Sequence, residues 1–188
     1  PKGAGALFIS DPLKLTPQIF GGGQENGKRS GTENVAGIAG FGKAAELAQA
    51  NTEKFKRIER LRDLLEDGIV RQVENCRVNA AGAARIPNTS SISFYFTEGD
   101  ALAAALNEAG LAVSTGSACS SREFKYSHVL PAMGQPAEYY QGAIRFSLGL
   151  ENTEEEVEKA VEIVKKTVGQ VRAVSALYWD LANKREKG

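Results

Sequence analysis

The period at which apolar residues recur shifts repeatedly along this chain, and each shift predicts an element. GAGALFIS, near the start, predicts a buried strand over Ala6 to Ser10. A mixed apolar, proline-bearing connection follows, and then a run from Gly21 to Thr32 that holds five glycines and almost no apolar residue. Such a run is a loop with unusual backbone needs. Thr32 is the predicted N-cap of a helix that begins near Glu33 or Asn34. Val35, Ile38, Ala39, Gly42 and Ala45 give that helix an apolar stripe, and a second stripe runs Phe55, Ile58, Leu61, Leu65 and Ile69. The two stripes predict one very long helix, or two broken near Asn51, ending around Val73.

Beyond that point short strands alternate with helices. Cys76 to Asn79 is a short strand candidate, and SISFYF (Ser91 to Phe96) alternates clearly. Asp100 to Ala109 reads as helical, with Gly110 placed to end it. Leu111 to Ser114 is a further short strand, and Ser127 to Met133 one or two helical turns. From Ala143 to Leu148 the alternation puts Ile144, Phe146 and Leu148 on one face and Arg145 and Ser147 on the other. Thr153-x-x-Glu156 is a capping box that opens the last helix, whose stripe runs Val157, Val161, Val164, Val168 and Val171 toward Leu177 and Leu181. NKREKG at the end reads as a solvated tail. The chain contains no internal repeat and no low-complexity segment. The fold class is α/β, with an α+β domain of a small sheet covered by helices in the C-terminal part, joined by the long helix to the edge of a different domain. Because the chain opens at Pro1 in mid-pattern, it is expected to be a fragment of something longer.

Composition narrows the class. At 188 residues the chain can bury a proper core. Its 23 lysines and arginines balance 23 aspartates and glutamates, which leaves no electrostatic footprint for nucleic acid or an acidic membrane. No apolar run approaches a bilayer-spanning length, and no signal-peptide pattern opens the chain. Cys76 and Cys119 are its only cysteines, too few for a disulfide framework or a cysteine zinc site, so a reducing compartment, the cytoplasm, is expected.

Three segments carry candidate chemistry. STGSACSS (Ser114 to Ser121) sets Cys119 among small hydroxylated residues, which suits a loop where a thiol can ionise and reach out; a surface cysteine with no role is the plainer alternative. RSGT, running into a helix start, suits an anion. Backbone N–H groups, the positive helix end, the Thr32 hydroxyl and the Arg29 charge converge there, although a tight turn with a threonine cap explains the pattern as well. The absence of a Gly-Lys-Ser/Thr triplet disfavours nucleotide hydrolysis. Arg145, on the polar side of its strand, suits a bidentate grip on a carboxylate or an internal salt bridge. His128, the only histidine, reads as a surface residue at a helix start, and Cys76 as packing.

In order, PKGAGALFI, GGGQENGKRSGTENVAGIAGFGKA, SISF, STGSACSS, SHVLPAMG and AIRFSLGLENTEEEVE resemble the C-terminal half of the NifS/IscS-type cysteine desulfurases over nearly the entire chain. The resemblance implies the C-terminal portion of the fold-type I aminotransferase fold. Residues 1–50 would be a remnant of the large pyridoxal-phosphate-binding domain, residues 51–70 a connecting helix, and residues 71–188 a small α+β domain carrying the cysteine loop. It implies a homodimer that uses pyridoxal 5'-phosphate to convert L-cysteine to L-alanine. Cys119 would hold the sulfur as a persulfide for a scaffold or carrier protein in iron–sulfur cluster assembly or thiolation, with no metal in the site. Arg145 would bind the substrate carboxylate. Thr32 would bind the cofactor phosphate of the partner subunit, with Gly31 and Arg29 shaping or charging that loop. In the family the Schiff-base lysine stands four residues before the proline of PKG. The chain lacks that lysine, and is expected to be inactive alone. A selenocysteine lyase or cysteine-sulfinate variant, and a non-catalytic dimerising or partner-docking fragment, are the alternative expectations.

Overall fold

A computed structural model describes residues 2–10, 15–115 and 127–175. The chain divides into two compact units, Pro1–Glu53 and Lys54–Gly188.

The first unit contains one 3-10 turn, Gln24–Gly27, and helix α1, Val35–Ala50. The strand expected over Ala6 to Ser10 is not formed, and Leu7 and Phe8 are 72% and 89% exposed. An extended segment becomes a strand only where a neighbour satisfies its ladder, and no described segment pairs with this one. The cap of α1 also differs from expectation. Asn34, not Thr32, is the N-cap, and its Oδ1 accepts from the Gly37 N–H at 3.0 Å. Gly37 makes room for it, since a Cβ there would stand 2.5 Å from Asn34 Nδ2. Of the residues of α1 only Gly37 is buried, while Val35, Ile38, Phe41 and Leu47 lie exposed.

Asn51 ends α1. Its N–H reaches the carbonyls of Leu47 and Ala48, and its Nδ2 donates to Leu47 O at 2.7 Å. Of the two helix readings, the broken one holds: α2, Thr52–Gln72, follows at once.

The second unit is built on a four-stranded antiparallel sheet of order β1-β2-β4-β3. Its strands are β1 (Cys76–Val78), β2 (Thr89–Phe94), β3 (Ser114–Thr115) and β4 (Ala143–Ser147). Helices α3 (Gly99–Glu108), α4 (Val129–Ala132) and α5 (Glu154–Ala173) complete it. The core gathers Ile58, Leu61, Leu65 and Ile69 of α2 against Ile92 and Phe94 of β2 and Ile144 and Phe146 of β4. Leu102 and Leu106 of α3 and Val157, Val161, Val164 and Val168 of α5 close it. These are the residues that the helical and alternating periods select. Helices α2 and α5 cross closely at Gly68, where a Cβ would stand 2.7 Å from Val161 Cγ2.

Local chemistry fixes the ends of these elements. Thr153 and Glu156 form the reciprocal capping box, and Asn152 followed by the Thr153 N–H holds the Glu156 carboxyl below its usual range. Gly110, at φ +89°, ends α3. Strand β2 begins two residues earlier than its alternation suggests, because Thr89 and Ser90 pair with Ser147 and Phe146 of β4, and ends two residues earlier, before Phe96 turns to φ +67°. Only Ser114 and Thr115 of the edge strand are paired, so the segment from Leu111 to Val113 remains unpaired chain. At the C-terminal end of α5, Arg172 donates to the carbonyls of Tyr95, Glu74 and Asn75 at 2.9–3.0 Å and ties both strand ends to the helix. Glu66 of α2 receives both Arg85 amino groups at 2.7 and 3.0 Å, a bidentate pair that anchors the connection between β1 and β2. No helix among the described residues is long and apolar enough to cross a membrane. The extension of the α5 stripe to Leu177 and Leu181, and the terminal tail, lie outside the described residues.

Candidate functional site

Arg29, Gly31 and Thr32 share one loop in the first unit. Arg145 belongs to the second unit, and Cys119 lies outside the described residues. The loop is closed from within. Buried Ser30 donates its hydroxyl to Gly22 O at 2.7 Å, and the Gly31 N–H donates to Gln24 Oε1 at 3.2 Å. Glu25, Asn26 and Gly27 are all left-handed, with φ of 50°, 55° and 72°. Glycine, and to a lesser degree asparagine, accept that region readily, whereas a glutamate there costs about 1 kcal/mol. Gly31 itself sits at φ +121°, and a Cβ on it would meet Arg29 Nη1 at 3.0 Å. The Arg29 guanidinium folds back to donate to the Ser30 carbonyl.

Thr32 is exposed, and among the described residues neither it nor Arg29 is engaged by a carboxylate. Because Asn34 caps α1, the Thr32 hydroxyl is spared that task. A hydroxyl donor, a guanidinium and a side-chain-free Gly31 on one turn before a helix N-terminus fit a phosphate ester.

Arg145 is held differently. It is the third residue of β4, with Ala143, Ile144 and Phe146 buried and Arg145 and Ser147 exposed. Register places it opposite Ser91 of β2 and opposite Ser114 of β3. Both flanking side chains are small, so nothing bulky covers the guanidinium from either side. No described carboxylate pairs with it, which leaves the salt-bridge alternative without support among the described residues. A largely apolar cavity of about 400 Å³, which Arg145 does not line, lies beside Asn79 and Ser91 and is walled by Ile86, Val129, Leu130 and Met133.

The other reactive residue types have plainer settings. Half-buried Cys76 donates its thiol to Val73 O at 3.0 Å. Burial pushes that thiol above its ordinary value, against smaller opposing effects of Arg172 and a backbone hydrogen bond. A thiol kept neutral in this way is a poor nucleophile. His128 is exposed at the start of α4. Sequence periodicity did not single out Asn79. Its amide donates to Ser91 Oγ and Ser93 Oγ at 3.0 Å each, a bond set that register creates and no local pattern signals.

The second unit thus carries an exposed arginine on one face of its sheet, and the first unit, taken by itself, a glycine-rich turn before a helix N-terminus. Residues 1–160 match the family described as aminotransferase class-V, and the chain belongs to that family. It is 44% identical over 183 residues to a protein named cysteine desulfurase 2 from Trichormus variabilis, covering 97% of this chain and 46% of that one. A cysteine desulfurase from Bradyrhizobium diazoefficiens is 50% identical over 176 residues, covering 93% and 44%. The chain thus spans about half the length of the curated relatives it matches. Among solved structures, a NifS-like protein superposes with a TM-score of 0.73 at 36% identity, covering 86% of this chain and 41% of that one. A NifS-like protein from Rickettsia africae superposes at 0.69 with 34% identity and the same coverage. The small sheet and its helices therefore have the mixed α/β fold of that group.

Proposed function

We propose that this chain serves a pyridoxal-phosphate-dependent cysteine desulfurase that converts L-cysteine to L-alanine. The observation that carries the reading is Arg145, an exposed guanidinium at the centre of a polar sheet face with no described carboxylate beside it. The similarity to proteins named cysteine desulfurase supplies the reaction. In this reading residues 1–50 belong to the cofactor-binding domain, residues 51–70 link it to residues 71–188, and the latter carry the cysteine and the substrate arginine.

Each residue then has a physical task. Arg145 grips the substrate α-carboxylate through two parallel N–H···O bonds, which fixes the substrate's orientation as well as its affinity. Thr32 donates its hydroxyl to the cofactor phosphate of a partner subunit in a homodimer, with Arg29 supplying positive charge and Gly31 the turn. Bound pyridoxal phosphate would supply the electron sink that this chemistry requires. Cys119, as a thiolate, forms a new S–S bond to the substrate sulfur while the substrate's Cβ–S bond breaks. The electron pair of the broken bond stays with carbon, which takes up a proton to become the methyl group of alanine. Cys119 keeps the sulfur as a persulfide and passes it to the thiol of an acceptor protein for iron–sulfur cluster assembly or thiolation. The reducing cytoplasm suits such a thiol.

Incubating the holoenzyme with L-cysteine tests this. L-alanine should form, and Cys119 should gain the mass of one sulfur atom. Cys119→Ala should abolish sulfur transfer while leaving the bound cofactor's visible absorption intact. Alanine formation with no sulfur on Cys119, or undiminished transfer in Cys119→Ala, would remove Cys119 from its role.

A further inference from the structure

Four residues form one row across the polar face of the sheet. The Asn79 N–H donates to Ser91 O at 2.8 Å, Ser91 stands opposite Arg145, and Arg145 stands opposite Ser114. Arg145 carries five N–H donors and no acceptor, so any oxygen beside it competes with an incoming carboxylate. On the β2 side the available oxygen is Ser91 Oγ. Cross-strand partners bring their Cβ atoms within about 4.5–5.5 Å, inside the sweep of an arginine side chain. Asn79, which is 4% exposed, takes one of the two acceptor sites of that oxygen from the far side and draws it away from Arg145. Its Nδ2 donates to Ser91 Oγ and to Ser93 Oγ at 3.0 Å each.

We propose that Asn79 is a positioning residue for carboxylate recognition: by holding the hydroxyls of Ser91 and Ser93, it turns the Ser91 oxygen away from Arg145 and keeps the β2 side of the guanidinium open to its ligand. This rests on the reading of Arg145 as the carboxylate-binding residue. The part-buried bond from the Asn79 amide holds Ser91 in one rotamer, whereas a Ser91 released from Asn79 can turn its oxygen toward Arg145. The guanidinium then has to exchange that bond for the substrate. The cost falls on binding, before any bond is broken.

In the intact holoenzyme, Asn79→Ala should raise KM for L-cysteine about three- to tenfold, the worth of one competing hydrogen bond, with a much smaller change in kcat. Adding Ser91→Ala to it should bring KM back toward wild type, because the competing oxygen is then gone. A merely structural Asn79 predicts the reverse, a double variant at least as impaired as the single one. Titration with the product L-alanine should give the same order of affinities without turnover. Ser91→Asp leaves Asn79 in place and sets a carboxylate opposite Arg145; it should raise KM about tenfold or more. An unchanged KM in Ser91→Asp would overturn the proposal even if Asn79→Ala failed to fold. Arg145→Ala separates the two levels. If it leaves KM unchanged, the carboxylate reading itself fails. If it raises KM while Ser91→Ala gives no rescue of Asn79→Ala, only the role of Asn79 fails.

Discussion

The two units of this chain use the same periodic code with opposite outcomes. In Lys54–Gly188 the apolar stripes of α2 and α5 and one face of the sheet disappear into a common core, with Ile69, Ile92, Leu106 and Val164 fully buried. In Pro1–Glu53 the stripe of α1 finds no partner within this unit, with Val35 73% exposed and only Gly37 buried. A helical stripe therefore predicts a helix, while burial is decided by what packs on it from elsewhere. The chemistry follows the same division. Arg145 is held by a ladder with partners on both sides, whereas the loop of Arg29, Gly31 and Thr32 is held by local bonds such as Ser30 to Gly22.

The contrast breaks most visibly at Gly142. A Cβ there would stand 2.0 Å from Phe94 O and 2.6 Å from Thr97 Oγ1, a clash with backbone that rotation of a side chain cannot relieve. Gly142→Val should cost at least about 4 kcal/mol, measured by chemical denaturation, and an unchanged midpoint would refute the close approach of β2 to the start of β4. Next is a matched pair. Leu106→Ala, at a fully buried site, should cost about 2–5 kcal/mol, and Val35→Ala within about 0.5 kcal/mol. Equal costs would erase the difference between the units. In the first unit, Asn34→Ala should remove about 1 kcal/mol of helix stability and Thr32→Ala only a few tenths, as circular dichroism of the two variants would show.

The smallest expected effect is at Cys76. Its thiol is raised in the folded state, so the neutral form is favoured there. The associated stability is fully present below the ordinary thiol range and is lost as pH rises through the raised value. At mildly alkaline pH, Cys76 should alkylate more slowly in the folded chain than in urea; equal rates would contradict its burial.

Much of this was legible from residue order. The alternation of AIRFS predicts both the strand and the outward face of Arg145, and Thr153 with Glu156 announces the start of α5. The cap of α1 was less legible, since Thr32 and Asn34 are both good capping residues and Gly37, by leaving space for the Asn34 side chain, decides between them. The strand expected at Ala6 to Ser10 failed because a strand depends on a partner that its own sequence does not contain. The row Asn79–Ser91–Arg145–Ser114 joins segments far apart in the chain, so only register reveals it. The three-carbonyl grip of Arg172 is equally non-local, and at the end of a helix its sequence signal is only that of a C-terminal cation.

The most direct test of the account compares L-cysteine with its methyl ester, which lacks the carboxylate charge, in wild-type holoenzyme and in Arg145→Ala. The wild type should prefer the acid strongly in kcat/KM, and the variant should lose most of that preference by weakened binding of the acid alone. An Arg145→Ala enzyme that still distinguishes acid from ester as well as wild type would place the carboxylate elsewhere and contradict the assignment of this sheet face to the substrate.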